Sequence, residues 1–330
     1  VDARMLSVMG ITEVLSKLPT IYRSMSTVKK AIKRIKPHVL VLIDFPDFNF
    51  HAAAFAEKLQ VPILYYISPQ IWAWRQGRVK KIKRLVDHMA VIFPFEAAFY
   101  RKHQVPVTFV GHPLLDRISP ADAPSTSPDG LKDPIIGLLP GSREKEVAAL
   151  LPLMLEAACR IKKARPTARF LVSCSESVDP ERMMEMVIPY NARINLQIMK
   201  GAVSHVIRKS QLLVAASGTV TLEAALYGVP MVIIYKISPL SYWLGKRLIK
   251  VKHIGIVNLI VQKRLLPELI QHEATPAAIA AEIMQMLDDP DTYRQIRSEL
   301  HRVKRRLGGA GASDRVAGIA LNLCRLWHPS

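Results

Sequence analysis

Cysteine is scarce in this chain: three in 330 residues, Cys159, Cys174 and Cys324, far apart and with no C-x-x-C spacing. That scarcity speaks against a disulfide framework and against a cysteine-held metal, and it fits a reducing compartment. Two nucleotide signatures are missing as well. No Gly-Lys-Ser/Thr closes a Walker loop and no G-x-G-x-x-G follows a strand, so neither a phosphate-loop NTPase nor a dinucleotide-type oxidoreductase is supported. No apolar run is long enough to span a bilayer, and Val1-Asp2-Ala3-Arg4 lacks the charged-then-apolar opening of a secretory signal. A soluble or peripheral protein is expected. Acidic residues are few: 27 Asp and Glu face 46 Lys and Arg, a formal charge of +19. Such an excess suggests a polyanionic partner, whether nucleic acid, an anionic membrane or a phosphorylated lipid. Basic clusters lie at Lys29-Lys30, at Lys33 to Lys36, from Arg75 to Arg84, at Lys246-Arg247 with Lys250 and Lys252, and from Arg302 to Arg306. No aromatic RNA-binding strand, helix-turn-helix signature or zinc module accompanies them, which weighs against nucleic acid.

What is present is half apolar, enough for a large core divided between two domains. Between Gln211 and Tyr235 the chain reads as strand, Ser-Gly-Thr loop, helix and strand. A helix that starts at Ser217-Gly218-Thr219 aims its unpaired N–H groups and positive dipole end at whatever sits there, which suits an anion. Glu223, about one turn further on, is an acceptor suited to a ribose diol. The competing reading is local: Ser217 and Thr219 cap the helix and Glu223 favours its first turns. Residues 133–149 repeat the pattern, with Gly141, Ser142 and Arg143 in the loop. Arg143 offers a forked donor to a diphosphate and Gly141 lets the backbone come close.

Apolar runs at His38–Ile43, Val61–Ile67, His88–Phe93 and Val107–Val110 alternate with helical segments. So do runs at Arg169–Ser173, Asn195–Met199, Leu212–Ala215 and Pro230–Tyr235, after a strand that begins near Pro134. Continuous apolar strands between helices predict parallel sheets covered on both faces. The expected organisation is α/β with two doubly wound Rossmann-like domains and a cleft between them. Residues 1–116 form the first, 117–132 a linker rich in Pro, Ser, Asp and Ala, and 133–310 the second. An amphipathic helix at Asp314–Leu326, within 311–330, is expected to cross back to the first domain.

These residues carry a family resemblance. Asp44-Phe45-Pro46-Asp47-Phe48-Asn49, Ser68-Pro69-Gln70-Ile71-Trp72-Ala73-Trp74-Arg75 and Phe93-Pro94-Phe95-Glu96 resemble the lipid-A-disaccharide synthases, bacterial glycosyltransferases of the GT-B fold. Gly111-His112-Pro113, Leu139 to Arg143, Ala216 to Thr219 with Leu222-Glu223, and Val257-Asn258-Leu259-Ile260 follow in that family's order. The similarity runs along nearly the whole chain.

The resemblance implies transfer of 2,3-diacylglucosamine from its UDP donor to 2,3-diacylglucosamine 1-phosphate (lipid X), with inversion, giving a β-1,6 disaccharide phosphate and UDP. It implies no cofactor and no metal, since GT-B enzymes usually stabilise the leaving diphosphate with helix N-termini and basic side chains. Gly141, Ser142, Arg143 and Ser217 to Thr219 would serve the diphosphate, Glu223 the ribose, and Asn258 the donor or catalytic centre. Asp44, closing a buried strand, matches the family's proposed base; Asp47 could exchange roles with it, and His112 is the runner-up. Trp74 could stack on a sugar, and Arg75 could meet the acceptor phosphate.

Acyl-chain substrates imply a cytoplasmic enzyme peripheral to the inner membrane, with a homodimer among the expected assemblies. Met9, Ile11, Val14, Leu15, Leu18 and Ile21 share a helical face near Lys17, Arg23, Lys29 and Lys30, which fits an interfacial helix on anionic lipid as well as a core stripe. The family's opening strand and its Gly-Glu-Ala/Thr-Ser-Gly-Asp segment have no counterpart here. A first sheet without that strand is expected to show an unpaired edge with exposed apolar neighbours, and turnover by the chain as written is in question. Another GT-B enzyme of UDP-N-acetylglucosamine, transferase or epimerase, and a non-catalytic sugar-nucleotide-binding protein stay open as alternatives.

Overall fold

A computed structural model describes residues 11–118, 131–238, 242–243 and 253–327, with side chains from Pro19 to Leu326 among them. Much of the expected linker, the apolar stripe from Met9 to Leu18 and the basic cluster at 246–252 therefore lie outside the described residues or side chains. The chain divides into two compact units, residues 1–113 with 309–330, and residues 114–308.

In the first unit four strands pair in parallel in the order β1-β2-β3-β4: β1 (Leu40–Ile43), β2 (Ile63–Tyr66), β3 (His88–Val91) and β4 (Val107–Phe109). Helices α1 (Ile11–Ile35), α2 (Pro46–Lys58), α3 (Ile71–Trp74), α4 (Val79–Leu85) and α5 (Pro94–Lys102) run between and beside them. Proline opens α2 and α5, where its missing N–H costs nothing and its fixed φ suits the first turn. The small side chains Ala52, Ala53 and Ala56 let α2 pack closely into a core with Ile63, Tyr65, Met89 and Tyr100. β2 is buried at all four positions, whereas β1 stands at the edge of the described sheet with Val41 and Ile43 exposed. The last helix, Ala312–Trp327, joins this unit: Arg315 Nε donates to Val110 O at 2.8 Å, while its other nitrogens hold the carbonyls of Gly309 and Ala310.

The second unit is a parallel sheet in the order β10-β9-β8-β5-β6-β7. Its strands are β5 (Ile135–Leu139), β6 (Arg169–Cys174), β7 (Asn195–Lys200), β8 (Leu212–Ala216), β9 (Met231–Tyr235) and β10 (Glu268–Ile270). β5 and β8 are apolar and almost wholly buried, as central strands covered on both faces require. Within β5, Gly137 leaves room for Ser210 and Leu213: a Cβ there would meet Ser210 Oγ at 2.6 Å and Leu213 Cδ2 at 2.5 Å. The strand order reverses at β5. From it the chain steps outward to β6 and β7, then returns to β8 on β5's other side.

Candidate active site

That reversal decides where the second unit can hold a ligand. In open parallel sheets a crevice opens at the carboxyl ends of the two strands flanking the switch point. Here those strands are β5 and β8, paired in register from Ile136 against Leu212 to Leu139 against Ala215. The loops that leave them are Pro140 to Arg143 and Ser217-Gly218, so two segments nearly eighty residues apart in sequence emerge side by side. Each runs directly into a helix: α6 (Glu144–Ala164) and α7 (Thr219–Leu226). Two helix N-termini, with their unpaired N–H groups and positive dipole ends, are thus collected at one sheet edge.

Within that edge Gly218 and Thr219 are exposed and Ser217 is half-buried, its N–H held by Ile234 O at 2.9 Å. Neither Ser217 nor Thr219 caps α7 through its side chain; the residue that reaches back is Thr221, whose hydroxyl donates to Gly218 O at 2.8 Å. The local capping role considered for Ser217 and Thr219 is therefore not the one they fill. Glu223 is half-buried and its carboxyl is pushed upward by burial, with the charge of Arg117 working the other way. Arg117 drew no attention in the sequence because it lies over a hundred residues from Glu223.

In the other loop Gly141 has a left-handed φ of 115°, which favours glycine. Arg143 is half-exposed, and its Nη1 lies 2.5 Å from Glu146 Oε1. Ser142 N donates to Glu146 Oε2 at 3.3 Å, and its carbonyl accepts from Ser177 Oγ at 2.6 Å.

Asn258 departs from its expected place at the donor or catalytic centre. It is fully buried, and its amide is saturated by protein: Nδ2 donates to Leu266 O and Glu268 Oε1, while Oδ1 accepts from the N–H groups of Leu265 and Leu266. Two donors and two acceptor sites are all a primary amide possesses. Asn258 pins the helix Ile256–Val261 to the start of β10, and Glu268 completes the clamp by accepting from Ile254 N and Gly255 N.

In the first unit, Asp44 follows β1 with φ 45°, and Phe45 beside it has φ 48°. Two consecutive non-glycine residues in the left-handed region cost on the order of 1–3 kcal/mol each, and persist only where their surroundings hold them. The holding groups are Asn49 Nδ2, which donates to Ile43 O and Asp44 O, and Tyr65 OH, which donates to Asp44 O at 2.6 Å. This turn lifts the Asp44 side chain into exposure, and its carboxylate takes no hydrogen bond or ion pair among the described residues. Asp47 differs: Arg78 reaches it at 2.7 Å, with Arg75 at 3.9 Å. Asn49 and Tyr65 escaped sequence reasoning because an asparagine in a helix and a tyrosine in a strand announce no task.

His112 is buried against the Phe93 ring, and burial lowers its pKa to about 4, so the imidazole is neutral near pH 7. Trp72 packs on Phe95 and donates Nε1–H to the buried Glu96 at 3.1 Å, whereas Trp74 is exposed with the Arg75 guanidinium stacked 4.0 Å over its ring. Burial raises Glu96 to about 8, against the lowering effect of its bonds to Phe93 N and Trp72.

Two Rossmann-like parallel sheets define a GT-B glycosyltransferase fold. Solved structures of that fold superpose along the chain: UDP-GlcNAc 2-epimerase from Neisseria meningitidis bound to UDP-GlcNAc matches with a TM-score of 0.62 at 11% identity, covering 95% of this chain and 82% of that one. Acinetobacter baumannii MurG matches at 0.58 and 12% identity, covering 92% and 78%. A family model described as lipid-A-disaccharide synthetase matches residues 1–321. Lipid-A-disaccharide synthase from Geobacter metallireducens is 48% identical over 98% of this chain and 85% of its own length, and that from Coxiella burnetii strain CbuK_Q154 41% over 98% and 86%. The chain belongs to the lipid-A-disaccharide synthase family and is a glycosyltransferase.

Proposed function

We propose that the second unit binds a UDP-sugar at the β5–β8 switch point and that the reaction moves 2,3-diacylglucosamine from UDP to lipid X with inversion. The adjacency of the two loops carries this reading: Arg143 and the backbone from Ser217 to Thr219 receive the diphosphate, and Glu223 receives the ribose. A UDP-sugar in the related 2-epimerase supports the choice of nucleotide. As the glycosidic bond to UDP breaks, negative charge grows on the diphosphate, and prearranged N–H groups and a guanidinium stabilise it without reorganising. Asp44 takes the proton of the acceptor hydroxyl as that oxygen attacks the anomeric carbon. Its carboxylate, without a partner among the described residues and set on a braced left-handed turn, favours it over Asp47, which two arginines engage, and over the buried His112. The reaction uses no metal or other cofactor.

The acceptor and donor both carry acyl chains, so the enzyme works at an anionic bilayer surface as a peripheral protein. No helix among the described residues is long and apolar enough to cross a membrane. On α1, the exposed Tyr22 and Lys29, Lys30 and Lys33 border a groove of about 210 Å³ together with Met25 and Phe55, an apolar-and-cationic surface suited to such an interface. Calorimetric titration of UDP into the wild type, Arg143→Ala and Glu223→Ala, with NAD as control ligand, tests the reading. Micromolar binding weakened by both substitutions is expected; a folded protein that ignores UDP would sink it.

A further inference from the structure

The space beside the Gly141 Cα is filled by the chain itself. A Cβ at position 141 would come within 2.6 Å of Glu146 Oε2 and 3.0 Å of Glu146 Cβ. The same Oε2 accepts from Ser142 N at 3.3 Å, and Oε1 takes the Arg143 guanidinium at 2.5 Å. A loop suited to an anion thus has the Ser142 N–H and one arm of its forked cation, Arg143 Nη1, held by one carboxylate. The negative charge of Glu146 also reaches Tyr235 at the carboxyl end of β9, whose hydroxyl is pushed up first by burial and then by that charge. The glycine therefore makes room for a side chain of its own helix, in the place where the sequence suggested room for phosphate.

We propose that Glu146 is the resident counter-anion of the Gly141–Arg143 loop, which a nucleotide diphosphate must displace, so that Glu146 tunes nucleotide affinity and favours product release. This rests on the reading of the loop as the diphosphate site. Phosphate oxygens and the carboxylate compete for the Ser142 N–H and for the Nη1 arm of Arg143, while the other N–H groups of the guanidinium stay open to an incoming phosphate. The charge of Glu146 repels a second anion even as it rotates aside. Arg143 is half-exposed and Glu146 about one-third exposed, so solvent screens the pair and limits the effect. A purely local role exists for comparison: Glu146 lies in the first turn of α6 and bonds to the loop backbone much as a capping glutamate does. Glutamine serves that capping role too, and this separates the two.

The experiment is calorimetric binding of UDP and of uridine to the full chain, to E146Q, to Arg143→Ala and to the double variant. Displacement predicts that E146Q binds UDP about two- to fivefold more tightly. Uridine, which brings no phosphate, gains nothing, and the UDP gain disappears in the Arg143→Ala background. UDP binding by E146Q equal to or weaker than wild type, at an unchanged melting temperature, overturns the proposal while leaving the site reading intact. Absence of UDP binding by the wild type overturns both. If E146Q melts early, Glu146→Ala takes its place and must shift UDP affinity in the same direction.

Discussion

Replacing Asn258 by alanine separates a structural amide from a catalytic one. The wild-type side chain makes four hydrogen bonds, to Leu265 N, Leu266 N, Leu266 O and Glu268 Oε1, in a site closed to solvent. Each such bond contributes about 1 kcal/mol net, and a buried N–H left without a partner costs about 1–3 kcal/mol. Leu266 N is stranded, whereas Leu265 N keeps Lys263 O at 3.0 Å, so the second unit should lose roughly 2–4 kcal/mol. With a urea slope of about 2–3 kcal/mol/M for a unit of this size, its midpoint should fall by roughly 1–2 M. Amide exchange should quicken across residues 254–270, because Asn258 and Glu268 together anchor that segment to β10. Urea unfolding followed by circular dichroism, with exchange read peptide by peptide, makes the measurement. A lost turnover rate at an unchanged midpoint and unchanged exchange would refute the reasoning and return Asn258 to the substrate.

Asp44→Asn keeps the size of the side chain and removes the base; kcat is expected to drop about 10²- to 10⁴-fold with UDP affinity unaltered, and an unaffected kcat would move the role elsewhere. Burial also gives the first unit a particular pH dependence. Glu96 titrates near 8 when folded against 4.5 unfolded, so its contribution to stability falls as pH rises between those values; His112, near 4 against 6.5, adds stability as pH rises between its own. The two slopes oppose each other from 4.5 to 6.5, leaving a decline of about one proton's worth from 6.5 to 8, and Glu96→Gln should flatten that decline in melts recorded along a pH series. Incubation with EDTA should leave turnover unchanged, and activity restored only by added divalent metal would contradict stabilisation of UDP by protein groups alone.

The sequence by itself determined the layered α/β architecture and the two loops that matter. Runs such as Ile135–Leu139 and Leu212–Ala216 are continuous, apolar and bounded by loop residues, a local pattern that survives any packing. Motif order along the chain carried the family, which the relatives share at 41–48% identity. The short β10 (Glu268–Ile270) was not legible, because three residues ending in a polar turn have no periodicity to read and pair only once β9 is in place. Tertiary structure alone decided what each polar side chain does. Asn258 looked like a ligand contact until Leu265, Leu266 and Glu268 closed around it, and Gly141 looked like room for phosphate until Glu146 filled it. Asp44 stands apart from Asp47 only because Asn49 and Tyr65 brace one turn while Arg78 neutralises the other carboxylate. Strand and helix follow from short-range sterics and periodic burial, which neighbouring residues encode. The task of a polar group depends on which distant donors and acceptors reach it first, and the folded chain alone sets that competition.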